Sequence, residues 1–184
     1  MERKPDHKID KLFINRWSPR SFTGGSITKE QLMELLEAAR WAPSCFNEQP
    51  WRIIYGFRGT PAWDKLFSLM GEFNQGWTKN CSALGLIVSR NTFNKNDKPN
   101  KVHSFDCGSW WMSLALQARM NGLYAHGMAG FDYEKAQEVF SIPSAYTIEA
   151  MFAVGIADAE KMKAEEISGR KKVEEFAFEG EFQG

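Results

Sequence analysis

A chain of 184 residues has room for one domain, because domains usually hold about 100 to 200 residues around a self-sufficient core. Hydrophobic residues at 43% and charged residues at 25% exclude a disordered or fibrous chain, and 23 basic against 23 acidic side chains leave no net field to draw nucleic acid or an anionic membrane. Cys45, Cys81 and Cys107 are odd in number and lack CxxC spacing, which argues against a disulfide framework or a zinc site. Free thiols, and a polar N-terminus without the apolar run of a signal peptide or a membrane span, point to the cytoplasm. Aromatics at 14% suit a Phe-rich core equally well as a large buried interface or a planar ligand.

In chain order, Ile9, Leu12 and Phe13 recur at helical spacing, and the helix must stop before Pro19, since the residue preceding proline is pushed out of the α region. Thr28 with Gln31 makes a capping box for a second helix whose apolar stripe is Leu32, Leu35, Leu36 and Ala39, ending at Trp41 and Pro43. Trp51 to Phe57 reads as a buried strand, and Arg58-Gly59 as a turn. Thr60-Pro61 starts a helix with Trp63, Leu66, Phe67 and Met70 on one face and Gly71 at its end. Leu84 to Ser89 is a second strand, followed by an exposed, mobile loop from Arg90 to Lys101. Val102 to Asn121 is a long helix with Gly122 as its C-cap. Leu123 to Met128 is extended, Asp132 caps a short helix to Phe140, and Ile148 to Ile156 is a third apolar strand. Helices and strands mix without strict alternation, which predicts an α+β layer rather than a doubly wound parallel sheet. From Ala157 onward the chain is charged yet carries Phe176, Phe178 and Phe182, the pattern of a tail that docks on something.

Two segments carry chemistry. In Arg16-Trp17-Ser18-Pro19-Arg20 the proline stiffens the backbone, so that two guanidiniums and a hydroxyl project from one turn. A guanidinium is a planar fork matching phosphate oxygens, although such arginines also serve in surface ion pairs. In Ala42-Pro43-Ser44-Cys45-Phe46-Asn47-Glu48-Gln49-Pro50-Trp51, prolines at both ends restrict a loop whose hydroxyl and amide groups suit the edge of a heteroaromatic ring; capping of the preceding helix is the other reading.

Taken together, Asn15 to Phe22, Ala38 to Ser44 and Asn47 to Trp51, with Gly122 to Asp132 and Ala153 to Ala157 further on, resemble the nitroreductase family over about residues 7 to 175. The resemblance implies an α+β sandwich with a central, mainly antiparallel sheet flanked by helices. It also implies a homodimer with FMN in each of two interface pockets, and hydride transfer through flavin N5 from NAD(P)H to a small acceptor such as a nitroaromatic or quinone. Residue by residue, Arg16, Ser18 and Arg20 match the grip on the FMN phosphate and ribityl chain, with Arg20 also set against negative charge near flavin N1. Pro43, Ser44, Cys45 and Asn47 match the loop that borders the ring from the partner subunit. Met128, Ala129 and Gly130 match the turn at the N5 region, Arg170 a C-terminal phosphate ligand, and Asn74 an asparagine that reads the pyrimidine ring.

No side-chain nucleophile and no metal are expected, because the flavin carries the reaction. The chain departs from the family pattern at Cys45, where serine or glycine is commoner, and at Ala129, where some relatives are acidic. Cys45 is either a redox-sensitive thiol or an inert wall residue, and His126 either touches a ligand or is a structural histidine bonded to backbone. The same scaffold also resembles enzymes of reductive dehalogenation, enal or aldehyde reduction and flavin breakdown, and a low-turnover flavin-binding redox sensor is a further reading. The domain is expected to span 1–184, with 158–184 an arm packed on the partner subunit.

Overall fold

The capping box at the second helix forms as its sequence predicts: the Thr28 side chain accepts from the Gln31 backbone N–H, and the Gln31 side chain accepts from the Thr28 N–H. The computed structural model describes residues 3–183, so Met1, Glu2 and Gly184 of the expected domain lie outside the described residues. Its helices are α1 (Lys11–Asn15), α2 (Lys29–Arg40), α3 (Pro61–Phe67), α4 (Glu72–Thr78), α5 (His103–Met120), α6 (Tyr133–Val139) and α7 (Ala159–Met162). The strands are β1 (Trp51–Phe57), β2 (Ala83–Arg90), β3 (Tyr124–Met128) and β4 (Tyr146–Gly155). They form one antiparallel sheet in the order β1-β2-β4-β3. The architecture is the predicted α+β sandwich.

Period-two alternation sends the two faces of the sheet into two cores. Ala83, Ile87, Ala125, Phe152 and Val154 pack with Leu32, Leu35 and Ala39 of α2 and Trp110, Leu114 and Ala118 of α5. Leu84, Leu86, Val88, Met151 and Ala153 pack with Trp63 and Leu66 of α3, Trp77 of α4 and Ala136 of α6. Gly85 is required in this arrangement, because a Cβ there would lie 2.2 Å from the Phe152 ring. No described helix is long and apolar enough to cross a membrane.

Two local expectations are corrected. Gly71 does not end the third helix, which stops at Phe67; it is the N-cap of α4, a helix absent from the sequence reading. Between them Met70 bridges Phe131 and the Asp132 N–H donates to the Leu69 carbonyl, so the chain breaks its helix to hold the segment after β3. The Arg90–Lys101 loop is exposed at its tip but folds back as a tight excursion closed by a Thr92–Pro99 bridge, with Asn100 buried. Arg90 binds Asn94 and Asp97, and the Glu48 carboxylate accepts from both the backbone and side chain of Asn94.

Candidate functional site

The N-cap Asp10 accepts from the Leu12 N–H to start α1, and the helix ends where Arg16 leaves in an extended conformation. Arg16 is partly buried, and its Nη1 lies 3.4 Å from the Ser18 hydroxyl. Arg3 crosses beneath, donating to the carbonyls of Ile14 and Arg16 and, through Nε, to that of Ser168. Burial first, then the positive charges of Arg170 and Arg3, depress the Arg16 pKa below its usual value. Three guanidiniums thus converge on one turn, and among the described residues no carboxylate forms an ion pair with any of them. Like charges gathered without a counter-ion make a site for a multivalent anion. Arg16, Ser18 and Arg170 are therefore brought together as the sequence expects. Arg3 was missed, since nothing in a polar N-terminal stretch distinguishes it until the fold closes.

Arg20 stands apart from that group. Its guanidinium lies over the Phe73 ring, 5.3 Å from the centroid, while its backbone N–H and that of Ser21 donate to the Glu165 carboxylate. The turn between Arg16 and Arg20 is held from below by His126, whose Nδ1 is 2.9 Å from the Pro19 carbonyl and whose ring packs on Trp77 with centroids 4.5 Å apart. Desolvation lowers the His126 pKa against the opposing effect of that bond, and Arg20 and Arg16 lower it further. Of the two roles open to His126, its bond is the structural one.

β3 delivers the turn Met128-Ala129-Gly130. Asn74 donates from its amide to the Gly130 carbonyl at 2.8 Å and accepts from the Trp77 indole at 3.0 Å, so α4 fixes the turn. A Cβ at Gly130 would come within 3.0 Å of that amide nitrogen, so a larger residue there would press on the Asn74 side chain. Met128 and Ala129 line a cavity of about 370 Å³ between the sheet and the start of α5, walled by Cys107, Gly108 and Trp111 on the helix side and by Glu149 and Ala150 of β4. The Cys107 thiol is pushed up to about 12 by burial and then by the charges of Glu149 and Asp106, so it stays protonated.

The Pro43–Asn47 segment forms a 3₁₀ turn at 45–47 rather than a helix cap. Phe46, Asn47 and Gln49 all have left-handed φ values, 50°, 56° and 48°, a strained arrangement held by two bonds. Ser44 Oγ accepts from the Gln49 N–H, and the buried Asp106 of α5 accepts from the Cys45 N–H at 3.1 Å. Pro43 and Asn47 are exposed and Ser44 and Cys45 half-buried. Among the described residues no hydrogen bond or ring contact joins this loop to the Arg16–Arg20 turn or to Met128–Gly130. Asp106 escaped sequence reading because it lies 61 positions from the amide it holds. So did a cluster at the cavity wall, Ser89, His103, Ser104 and Glu149, drawn from three elements.

The fold has close counterparts. A solved oxidoreductase described as containing FMN is 39% identical, superposes with a TM-score of 0.91, and is matched over 99% of this chain and 96% of that one. A nitroreductase family protein from Streptococcus pneumoniae TIGR4 shares the fold at 19% identity, with a TM-score of 0.75 and coverage of 92% and 98%. In sequence, a protein of Rhodopseudomonas palustris (strain TIE-1), provisionally named an NADH dehydrogenase/NAD(P)H nitroreductase, is 24% identical over 177 residues, 86% of this chain and 89% of its own. The family model for nitroreductases matches residues 14–156, so the chain belongs to the Nitroreductase family.

Proposed function

We propose that this protein is an FMN-dependent oxidoreductase that moves hydride from NAD(P)H to a small electrophilic acceptor such as a nitroaromatic or a quinone, working as a homodimer in the cytoplasm. The observation that carries the reading is the convergence of Arg3, Arg16 and Arg170 beside the Ser18 hydroxyl, with no carboxylate paired to them among the described residues. These donors fit the phosphate of FMN, and the relative containing FMN shares the whole fold. When bound, FMN supplies the centre that accepts and returns the hydride.

The chain's own residues bind and orient. Arg16, Ser18 and Arg170 hold the phosphate, with Arg3 adding charge. Arg20, on the same turn, faces the developing negative charge of the ring system. The backbone of Met128, Ala129 and Gly130 sets the ring's edge, and Asn74 locks that backbone and keeps one amide hydrogen for the ring. Pro43, Ser44, Cys45 and Asn47 complete the pocket from a second copy of the chain, which accords with their lack of contact to the turn within one chain. The faces needed for such a pairing are apolar: Phe13 of α1 and Phe105, Met112 and Met120 of α5 are all exposed. The arm 158–184, whose Phe176 and Phe182 are exposed, packs on the same partner. Three free thiols fit a reducing compartment.

The test is direct. Purified protein should carry yellow flavin that NAD(P)H bleaches and a quinone or nitroaromatic restores. Arg16→Ala with Arg20→Ala should weaken FMN binding by about a hundredfold or more, from the loss of charge-assisted hydrogen bonds of about 1.5–3 kcal/mol each. A colourless protein that takes up no FMN would overturn the assignment.

A further inference from the structure

The register of β4 against β2 slips at one place. Ile87 faces Ala150 and Val88 faces Ile148, so Glu149 is the extra residue of a β-bulge. Strict alternation from Met151 and Ala153 would turn residue 149 toward α3 and α6, into an apolar core. The bulge instead turns its side chain to the α5 side, where Ser89 of β2 and His103 and Ser104 of α5 receive it. Bulges commonly re-aim one side chain beside a site, and this one puts a carboxylate in the wall of the cavity that holds Met128 and Ala129.

The carboxylate is fixed through one oxygen. Ser104 Oγ donates to Glu149 Oε1 at 2.9 Å, the Ser89 hydroxyl donates to the same oxygen, and His103 Nδ1 lies 3.1 Å from it and 2.7 Å from Ser89 Oγ. With both hydroxyl protons directed at Oε1, the Nδ1 position must carry the hydrogen it shares, so the cluster is a set of donors around a carboxylate. None of these bonds uses Oε2. The surrounding wall is apolar, from Ile87, Trp111 and Met151. Glu149 adds to burial in raising the Tyr133 pKa, and with Asp106 it raises that of Cys107 against a smaller opposing effect of Arg52.

We infer that Glu149, positioned by Ser89, His103 and Ser104, determines acceptor specificity, selecting planar aromatic acceptors that bear a neutral or cationic hydrogen-bond donor and rejecting anionic aromatics. The inference rests on the flavin reading above for what the cavity is used for, but the recognition follows from the cavity alone. An acceptor ring seats in the cavity that Trp111 and Ala129 line, its donor meets Oε2, and a carboxylate in that place would meet a like charge.

Binding to the oxidised holoprotein tests this without turnover. Calorimetric titration with 4-nitrobenzyl alcohol and 4-nitrobenzoate should show the alcohol at least about tenfold tighter. Glu149→Gln, which keeps the size and one acceptor oxygen but replaces the other with an amide donor, should narrow that gap to within about threefold, chiefly by admitting the benzoate. In steady state the substitution should move KM for the two probes and leave kcat nearly unchanged. Ser104→Ala, which loosens the carboxylate but leaves its charge, should weaken the alcohol a few fold and keep the benzoate excluded. Equal binding of the two probes to wild-type protein, or undiminished discrimination in Glu149→Gln, would overturn the proposal. Flavin content and melting temperature report whether Glu149→Gln folds. If it does not, the wild-type ranking and Ser104→Ala decide. A protein that binds the probes in the expected order but is not bleached by NAD(P)H would sink the redox reading and leave the specificity reading standing.

Discussion

His126 Nδ1 donates to the carbonyl of Pro19 at 2.9 Å, so a strand residue holds the rigid centre of the arginine turn from 107 positions away. Burial depresses its pKa below 6.5, and the neutral ring is the folded form. Between the lowered folded value and the unfolded value the unfolded chain binds the extra proton, so stability rises with pH there. The contribution is fully present above about pH 6.5 and is lost as pH falls through the folded value. His126→Phe keeps a ring against Trp77 but removes both the donor and the titration. It should cost about 1 kcal/mol at pH 7.5 and abolish this part of the acid slope, measured by urea melts across pH 5 to 8. An unchanged slope would show that other groups set it.

Gly85 gives the sheet its fit to α5. Because an added Cβ would lie 2.2 Å from the Phe152 ring, Gly85→Ala must displace a buried aromatic, and overpacking of this kind costs about 1–3 kcal/mol. Phe152→Leu in the same chain should return part of that loss, a coupling visible in a double-mutant cycle of denaturant midpoints. Simple additivity would mean the strand shifts instead of the ring.

The three thiols should separate by reactivity. Cys81 is buried and its pKa strongly raised by desolvation, and Cys107 stands at about 12, whereas Cys45 is half-buried on the polar loop. In native protein at pH 7.5 a maleimide should label Cys45 first, with Cys81 and Cys107 slower by more than about a hundredfold until the chain is unfolded. Mass spectrometry of the time course reads this. Rapid labelling of Cys107 would mean that the cavity opens in solution.

The aromatic tail should matter to assembly. Phe182 is 90% exposed and Phe176 62% exposed on an otherwise charged arm. Deleting 171–184 should weaken the proposed dimer by at least about tenfold by sedimentation, while Arg170 and the proposed flavin site are retained. A truncated dimer of full strength would refute the docking role.

Where a signal is local, the sequence showed it. The Thr28–Gln31 box, Pro61 at a helix start, Gly122 at a helix end and the apolar runs of β1, β2 and β4 all depend on residues within a few positions of each other. Gly71 misled because the same residue type serves at either end of a helix, and here the Met70–Phe131 bridge decides which. The site divides in the same way. Arg16, Ser18 and the Met128–Gly130 turn are contiguous motifs, but Arg3 reaches Ile14, Arg16 and Ser168, and Asp106 reaches Cys45, only once the chain has folded. Glu149 sits in the middle of an apolar strand, where nothing but the slipped register reveals which face it takes.

The bond from Arg3 Nε to the Ser168 carbonyl has a topological consequence. It ties the segment before α1 to the segment after α7, at the place where three cations repel one another. An anion seated there would act as a clasp on the two segments. Loss of that anion would release the two segments together, so the earliest sign of an empty protein would be proteolytic cutting there while the sheet between them stays closed.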